Sequence, residues 1–378
     1  MNSNSDVVIV GAGAVGCATA YFLAKSGVKT TIIERESVAS QASGFAAGTL
    51  VPLSGEGIPG PVEQLAQASF TMHISLWDQL KEESGIDFQA RREPTLRVAF
   101  DDGDVQELRH LYQYCQQLES FSKQFTVNWL KAEELVSMEP RLSPEITDAL
   151  YIAGIGALDS YQYTLALLTA AERHGAVLRN GTVRGLKKAN DMVCGVKLAD
   201  GELACEKVVL AMGPWTEEVE AWTNVPMHIS PLKGQILRLD APGPPLKHVI
   251  YHYGNYLASK PDGLTWAGTT EEQVGFDCEP TQEARQYIIE AATRMIPSIS
   301  QAKVVLQTAC LRPVTSDGLP IISQVPGWER VFVAAGAGRK GILLSLAMGQ
   351  ATADLVTQGH TQIPISQFGL DRFVKSHI

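Results

Sequence analysis

A glycine turn between a strand and a helix near the start of the chain constrains its fold more than any other feature. After Asp6, the run Val7-Val8-Ile9-Val10 is β-branched throughout, as expected of a strand buried on both faces. It ends in Gly11-Ala12-Gly13-Ala14-Val15-Gly16, and Cys17 to Lys25 are good helix formers stopped by Gly27. Val28 to Glu34 reads as a second buried strand. Strand, turn, helix and strand within about thirty residues make the βαβ unit that binds a dinucleotide. Gly11 allows the tight turn, Gly13 lets the backbone approach a pyrophosphate, and Gly16 permits close packing of helix on strand. Ala14 and Val15 open the helix, whose amino end offers free N–H groups and partial positive charge. Glu34 ends the second strand where a carboxylate can accept from ribose hydroxyls. That disfavours NADP and leaves NAD and FAD both open.

The chain has 378 residues, 45% of them hydrophobic. Single cores stop growing near ~250–300 residues, so two lobes are expected. A formal net charge of -10 and the lack of a basic run exclude nucleic acid as a partner class. The six cysteines (Cys17, Cys115, Cys194, Cys205, Cys278, Cys310) form no C-x-x-C pair, which argues against a disulfide framework or a zinc site and for a reducing compartment. The apolar stretch Val7 to Ala24 lacks a basic flank and contains three glycines, so neither a signal peptide nor an integral membrane segment is expected. A cytoplasmic location is the resulting expectation.

Ser40 to Leu50 is small and flexible enough to lie against a bulky ligand, and Ser54 to Pro61 is a loop dense in Gly and Pro. Helices are expected over Val62 to Glu83, Val105 to Glu119, Ala132 to Glu139, Tyr163 to His174, Thr281 to Met295 and Ile342 to Leu355. Strands are expected at Thr95 to Phe100, Ala176 to Leu178, Gly181 to Lys188, Val193 to Leu198 and Lys207 to Met212. Three more follow at Gln235 to Leu239, Tyr251 to Ser259 and Leu264 to Thr269. Val331 to Ala335 then runs into Gly336-Ala337-Gly338-Arg339-Lys340-Gly341, a second strand, glycine turn and helix far from the first.

The fingerprint Gly11 to Glu34, the loop Ser43 to Leu50, and Val208-Val209-Leu210-Ala211-Met212-Gly213-Pro214-Trp215 occur in that order. They are followed by Leu311-Arg312-Pro313, Asp317-Gly318-Leu319-Pro320, and the run from Gly336 to Leu343. With these pieces the chain resembles, over nearly its whole length, the D-amino-acid oxidase family, and within it the glycine oxidases. The resemblance implies FAD, because in such folds the carboxy-terminal glycine turn reaches the flavin ring while the amino-terminal one holds the pyrophosphate. Two separated turns suit the two ends of so long a ligand. The implied fold is α/β, a Rossmann-type FAD-binding domain with a second α+β substrate-binding domain on a mostly antiparallel sheet. The first is expected from 1–80, 145–225 and 305–378, the second from 81–144 and 226–304.

The resemblance also implies which residues hold FAD. From the first turn they are Gly11, Gly13, Ala14, Val15, Gly16, Glu34 and Arg35, and from the next loop Ser43, Ala47, Gly48 and Leu50. Val183 would pass beside the adenine, with Ala211, Gly213 and Trp215 lining the cleft. Gly338, Arg339, Gly341, Ile342 and Leu343 would meet the ring.

Flavin oxidation of an amino acid needs a carboxylate anchor, an unprotonated amine, and the α-hydrogen placed over flavin N5, from which it leaves as hydride. Positioning in a dry site matters more than a protein acid or base. The resemblance assigns the carboxylate to Arg312, whose planar guanidinium suits a bidentate grip. Tyr256 is assigned a hydroxyl donor to the same carboxylate, with Tyr253 as the other choice. Read as one strand, this segment puts Tyr251 and Tyr253 on one face and His252, Gly254 and Tyr256 on the other, with His252 structural. Arg339 would stabilise negative charge on the reduced ring. Glu271 stands where the glycine oxidase pattern has an apolar residue, which leaves the substrate side chain open. Cys310 falls where sarcosine oxidases bond the flavin, yet Leu311-Arg312 is of the glycine oxidase kind, so a buried thiol and noncovalent FAD are expected.

The expected reaction is oxidative deamination of a small amino acid of glycine, sarcosine or D-amino-acid type, with O2 accepting the electrons and giving H2O2. A D-amino-acid dehydrogenase serving a quinone or other carrier, and a flavin subunit of a larger amine-oxidising complex, are the alternatives. A homo-oligomer is compatible with either.

Overall fold

The structure, a computed structural model, describes residues 5–118, 121, 123–190 and 192–374. Two compact units emerge, one from 1–90, 158–232 and 311–378, the other from 91–157 and 233–310.

The first unit is built on an eight-stranded sheet. Its parallel centre runs Val331–Ala335, Gly201–Leu210, Ser5–Val10, Thr30–Glu34, Val177–Asn180, and Ile321–Gln324 adds an antiparallel edge. Val183–Ala189 and Met192–Leu198 extend Gly201–Leu210 as an antiparallel ribbon. Val8, Val10, Val208, Leu210 and Val333 lie in one core cluster with Val193, Val196 and Leu198 of that ribbon. The helices Ala14–Lys25, Glu63–Ser84, Ser160–Arg173 and Gly341–Gln358 pack on one another. Central strands with both faces covered explain why Val7 to Val10 is apolar without alternation.

Strand order reverses at Ser5–Val10, which lies between the next strand in sequence, Thr30–Glu34, and the much later Gly201–Leu210. In open α/β sheets such a switch point opens a crevice at the carboxyl ends of the strands. Gly11 and Ala211 stand there.

The second unit is a mostly antiparallel sheet. Its order is Lys303–Thr315, Ile229–Asp240, Thr265–Gly268, Asn255–Ser259, Val249–His252, Arg91–Ala99, Asp148–Ala157, with Thr126–Lys131 beside the last. Val249–His252 on Arg91–Ala99 is parallel. Leu96, Val98, Leu237, Leu239, Ile250 and Leu257 form its core with Ile288, Ala292 and Met295 of the helix Gln282–Met295. The Thr281 side chain caps that helix, as Asp101 caps Asp102–Gln117. Glu119, expected at the end of the latter helix, lies outside the described residues.

One expectation is corrected here. Tyr251 to Ser259 is a hairpin, Val249–His252 and Asn255–Ser259, in which Tyr251 pairs with Tyr256. The two rings lie on one face, 6.2 Å apart, so the alternation that separated them fails. The chain turns because Tyr253 takes the left-handed region at φ 49, beside Gly254. Asp104 anchors the turn, meeting His252 Nε2 at 3.0 Å. The strands Thr126–Lys131, Asp148–Ala157, Lys303–Thr315 and Ile321–Gln324 were not expected from the sequence.

Gly349, in Gly341–Gln358, shows how closely the helices of the first unit approach. A Cβ there would lie 2.6 Å from Ala18 Cβ and 2.8 Å from Thr19 N. Ala favours a helix over Gly by about 1 kcal/mol, whereas overpacking against backbone costs about 1–3 kcal/mol. Gly349→Ala should therefore lower stability by up to about 2 kcal/mol in chemical denaturation, and a raised midpoint contradicts this packing.

Candidate functional site

The first glycine turn is fixed by contacts that leave no room for side chains. Gly11 has φ +105, and a Cβ on it would lie 2.4 Å from the Ala211 carbonyl oxygen. A Cβ on Gly16 would lie 2.1 Å from the Gly11 carbonyl oxygen. Gly13 differs: its φ is -79, and a Cβ would meet only Ser43 Oγ, at 3.2 Å. Gly11 and Gly16 are thus required by the fold itself. Over Gly13 the protein places nothing but the tip of the Ser43 side chain.

Gly13 caps the helix Ala14–Lys25 with no side-chain hydrogen bond, and no acid stands in the first turn. The helix end is therefore not compensated by negative charge from its own sequence, as suits an anion. Ala14 N donates to Ser43 Oγ at 2.9 Å, so the Ser43 loop is tied to this turn. Glu34 Oε2 accepts from Ala12 N at 2.8 Å and Oε1 from Glu36 N at 3.0 Å. A carboxylate has about four acceptor positions, so two backbone donors leave capacity for ribose hydroxyls. Gly11, Gly13, Ala14, Glu34, Ser43 and Ala211 are thus drawn together at the switch point.

Arg35 is exposed, with its guanidinium 4.2 Å above the Trp215 ring, so these two expected residues also meet. Gly213 follows Ala211 at φ 57 with open space where a Cβ would be. Val183 is buried in the ribbon core, and Val15 is half-buried on the first helix. Gly48, at φ +74, presses against the Leu158 carbonyl oxygen, with half-buried Ala47 before it and fully buried Leu50 after it.

The second turn lies at the start of Gly341–Gln358. Gly336 and Gly338 have φ 77 and 51, and Lys340 caps the helix without a side-chain hydrogen bond to it. Lys340 Nζ instead donates to the carbonyls of Ser54 at 2.6 Å and Val51 at 3.2 Å. The Glu56 carboxylate crowds Gly338, with Oε2 2.6 Å from where a Cβ would stand. Sequence reasoning passed over Glu56 and Lys340; the signal was a lone acid in a Gly/Pro loop and a lysine placed where a helix dipole disfavours it. Arg339 is exposed, Gly341 half-buried, and Ile342 and Leu343 buried.

Arg312 is half-buried in the strand Lys303–Thr315, just before Val314, which bridges Ala337 in the second turn. Tyr256 belongs to the second unit. It is 6% exposed, and its ring covers Gly268, where a Cβ would lie 3.0 Å from it. Cys310 is 5% exposed and Glu271 is exposed.

Two helix ends whose cap residues supply no side-chain hydrogen bond, a cradle over Gly13 walled only by the tip of Ser43, and an acid beside it fit the phosphates, ribose and ring of FAD. Among the described residues, no cluster of His, Cys, Asp and Glu could hold a metal ion, and no helix is long and apolar enough to cross a membrane.

Residues 6–355 match the model of the DAO family, described as FAD dependent oxidoreductase. A glycine oxidase of Geobacillus kaustophilus is 31% identical over 376 residues, 99% of this chain and 98% of that one. The crystal structure of glycine oxidase from that organism superposes with a TM-score of 0.91 at 30% identity, over 97% of this chain and 98% of that one. The hydrogen cyanide synthase subunit HcnC of Pseudomonas aeruginosa is 28% identical, over 99% of this chain and 97% of that one. With its glycine turns, its switch-point crevice and these relatives, the chain belongs to the DAO family of FAD-dependent oxidoreductases.

Proposed function

We propose that this protein oxidises the amine of a small amino acid of glycine, sarcosine or D-amino-acid type, using O2 as electron acceptor. The observation that carries the reading is full-length similarity to glycine oxidases together with Arg312 in the strand beside the second glycine turn. The first unit is read as the cofactor domain and the second as the substrate domain. When bound, FAD takes up hydride from the α-carbon and passes two electrons to O2, giving H2O2.

In this reading Gly13 and the amino end of Ala14–Lys25 receive the pyrophosphate, and Glu34 the ribose. Ala211, Gly213 and Trp215 line the cleft. Arg312 grips the substrate carboxylate through two parallel N–H donors, which fixes the α-carbon. Tyr256 adds a hydroxyl donor to that carboxylate, and Arg339 sets positive charge at the second turn. Buried Cys310 is read as an ordinary thiol, with FAD held noncovalently. A cytoplasmic location follows from the low cysteine density.

The similarity to HcnC, by name a subunit, supports a second reading in which the chain needs a partner to turn over. Air-saturated assays on the isolated chain separate the readings. With glycine, sarcosine, D-alanine and D-proline, oxidase function yields H2O2 in step with amine loss; dye reduction without peroxide points to a dehydrogenase, and no turnover alone to a subunit. On the best substrate, Arg312→Ala should cut kcat/KM by about a hundredfold or more, because a charge-assisted pair loses one partner. Arg312→Lys should recover only part, since an ammonium lacks the fork. Parental efficiency in Arg312→Ala contradicts the carboxylate assignment.

The open cradle yields a sharper test of the cofactor assignment. Gly13→Val should fold, since its φ suits any residue and the only near atom is the end of the Ser43 side chain, yet it should purify without FAD. Full FAD occupancy in that variant contradicts the placement of the pyrophosphate.

A further inference from the structure

The helix Gly341–Gln358 starts with Arg339 and Lys340 ahead of it and no capping side chain. Its first two turns are held instead by buried polar side chains from neighbouring helices. His73, on Glu63–Ser84, is fully buried. Its Nε2 lies 3.0 Å from the Ile342 carbonyl oxygen and 3.1 Å from that of Leu343. Carbonyl oxygens only accept, so Nε2 must carry the proton.

The rest of the contact set is consistent with a neutral ring. Burial pushes the His73 imidazole down to about 4, and Nδ1 has no hydrogen-bond partner among the described residues. Ser345 Oγ donates to the Ile342 carbonyl at 2.8 Å, which leaves the Tyr163 hydroxyl to donate to Ser345 Oγ at 2.9 Å. One turn before His73, Ser69 Oγ accepts from Ala347 N at 3.1 Å. A carbonyl that accepts an outside hydrogen bond polarises its own peptide unit and strengthens the N–H on the other side of it. For Ile342 that N–H belongs to Leu343.

We propose that His73 is a positioning residue for the cofactor: as a neutral Nε2–H donor it holds the carbonyls of Ile342 and Leu343. Through them it holds the backbone donors at the amino end of Gly341–Gln358. The proposal rests on the reading that this helix end serves FAD. Reduced FAD is the more electron-rich form, so a helix end fixed in place favours it over the oxidised form. Loosening that end should make FAD harder to reduce. A histidine that served packing alone would change the melting temperature and leave the potential where it was.

The test uses holoenzyme carrying His73→Leu, which removes the donor at similar size, and His73→Gln, which keeps an amide donor. Equilibration with redox dyes reads the midpoint potential of bound FAD. His73→Leu should shift the ratio of reduced to oxidised FAD binding about tenfold towards the oxidised form, which is about 30 mV for two electrons, and His73→Gln should recover most of it. A parental potential in His73→Leu overturns the proposal, even where the melting temperature falls. Should His73→Leu fail to fold, nitrogen-15 spectra of histidine-labelled parent at neutral pH decide instead. A neutral Nε2–H ring at His73 supports the contact, and an imidazolium or Nδ1–H ring overturns it. Failure of the parent to bind FAD would overturn the functional reading instead, while the ring spectrum still tests the contact.

Discussion

The structure depends on one close approach of backbone to backbone. Gly11 and Gly16 stand where any Cβ would fall within 2.4 Å of a carbonyl oxygen, that of Ala211 for the first and of Gly11 for the second. Because side chains are excluded, the first helix can start directly over the carboxyl end of the central strand, beside Gly201–Leu210. Its amino end, where only Ala14 N is taken up by Ser43 Oγ, then meets a crevice with no acid from the helix's own first turn. Glu34 completes the arrangement by accepting from Ala12 N, so the carboxylate proposed to hold the ribose also fixes the turn. A single network thus sets both the fold of the turn and the place proposed for the phosphates.

The second glycine turn works by different means. Positive φ at Gly336 and Gly338 bends the chain into Gly341–Gln358, but the helix end carries two cations that its own dipole disfavours. Lys340 is drawn aside by the carbonyls of Val51 and Ser54, and His73, Ser69 and Tyr163 support the first turns from behind. His73 Nε2, Ser69 Oγ and the Tyr163 hydroxyl each reach a partner on that one helix. The two helix ends proposed to meet the two ends of a long cofactor are thereby set by different constraints.

Local signals made much of this legible. The run Val7 to Val10, the three glycines and Glu34 read directly because tight turns and buried parallel strands restrict residue type. The hairpin at Tyr253 did not, since it turns on a left-handed tyrosine that Asp104, far away in sequence, holds in place. Asp148–Ala157 was missed because Gly154 and its alanines are poor strand formers, though Gly154 has to be small against the Gln124 carbonyl. The part played by His73 was invisible for the same reason: its partners are more than two hundred residues away, and no local pattern marks it.

In the proposed reading the first turn binds the adenylate half of a flavin dinucleotide while the second meets its ring. Titration of the apoprotein with FAD and FMN, followed by quenching of flavin fluorescence, tests it most directly. FMN lacks the half assigned to Gly13 and Glu34, so FAD should bind about a hundredfold tighter or more, a difference of about 2.8 kcal/mol. Equal affinity for FMN and FAD would contradict the account.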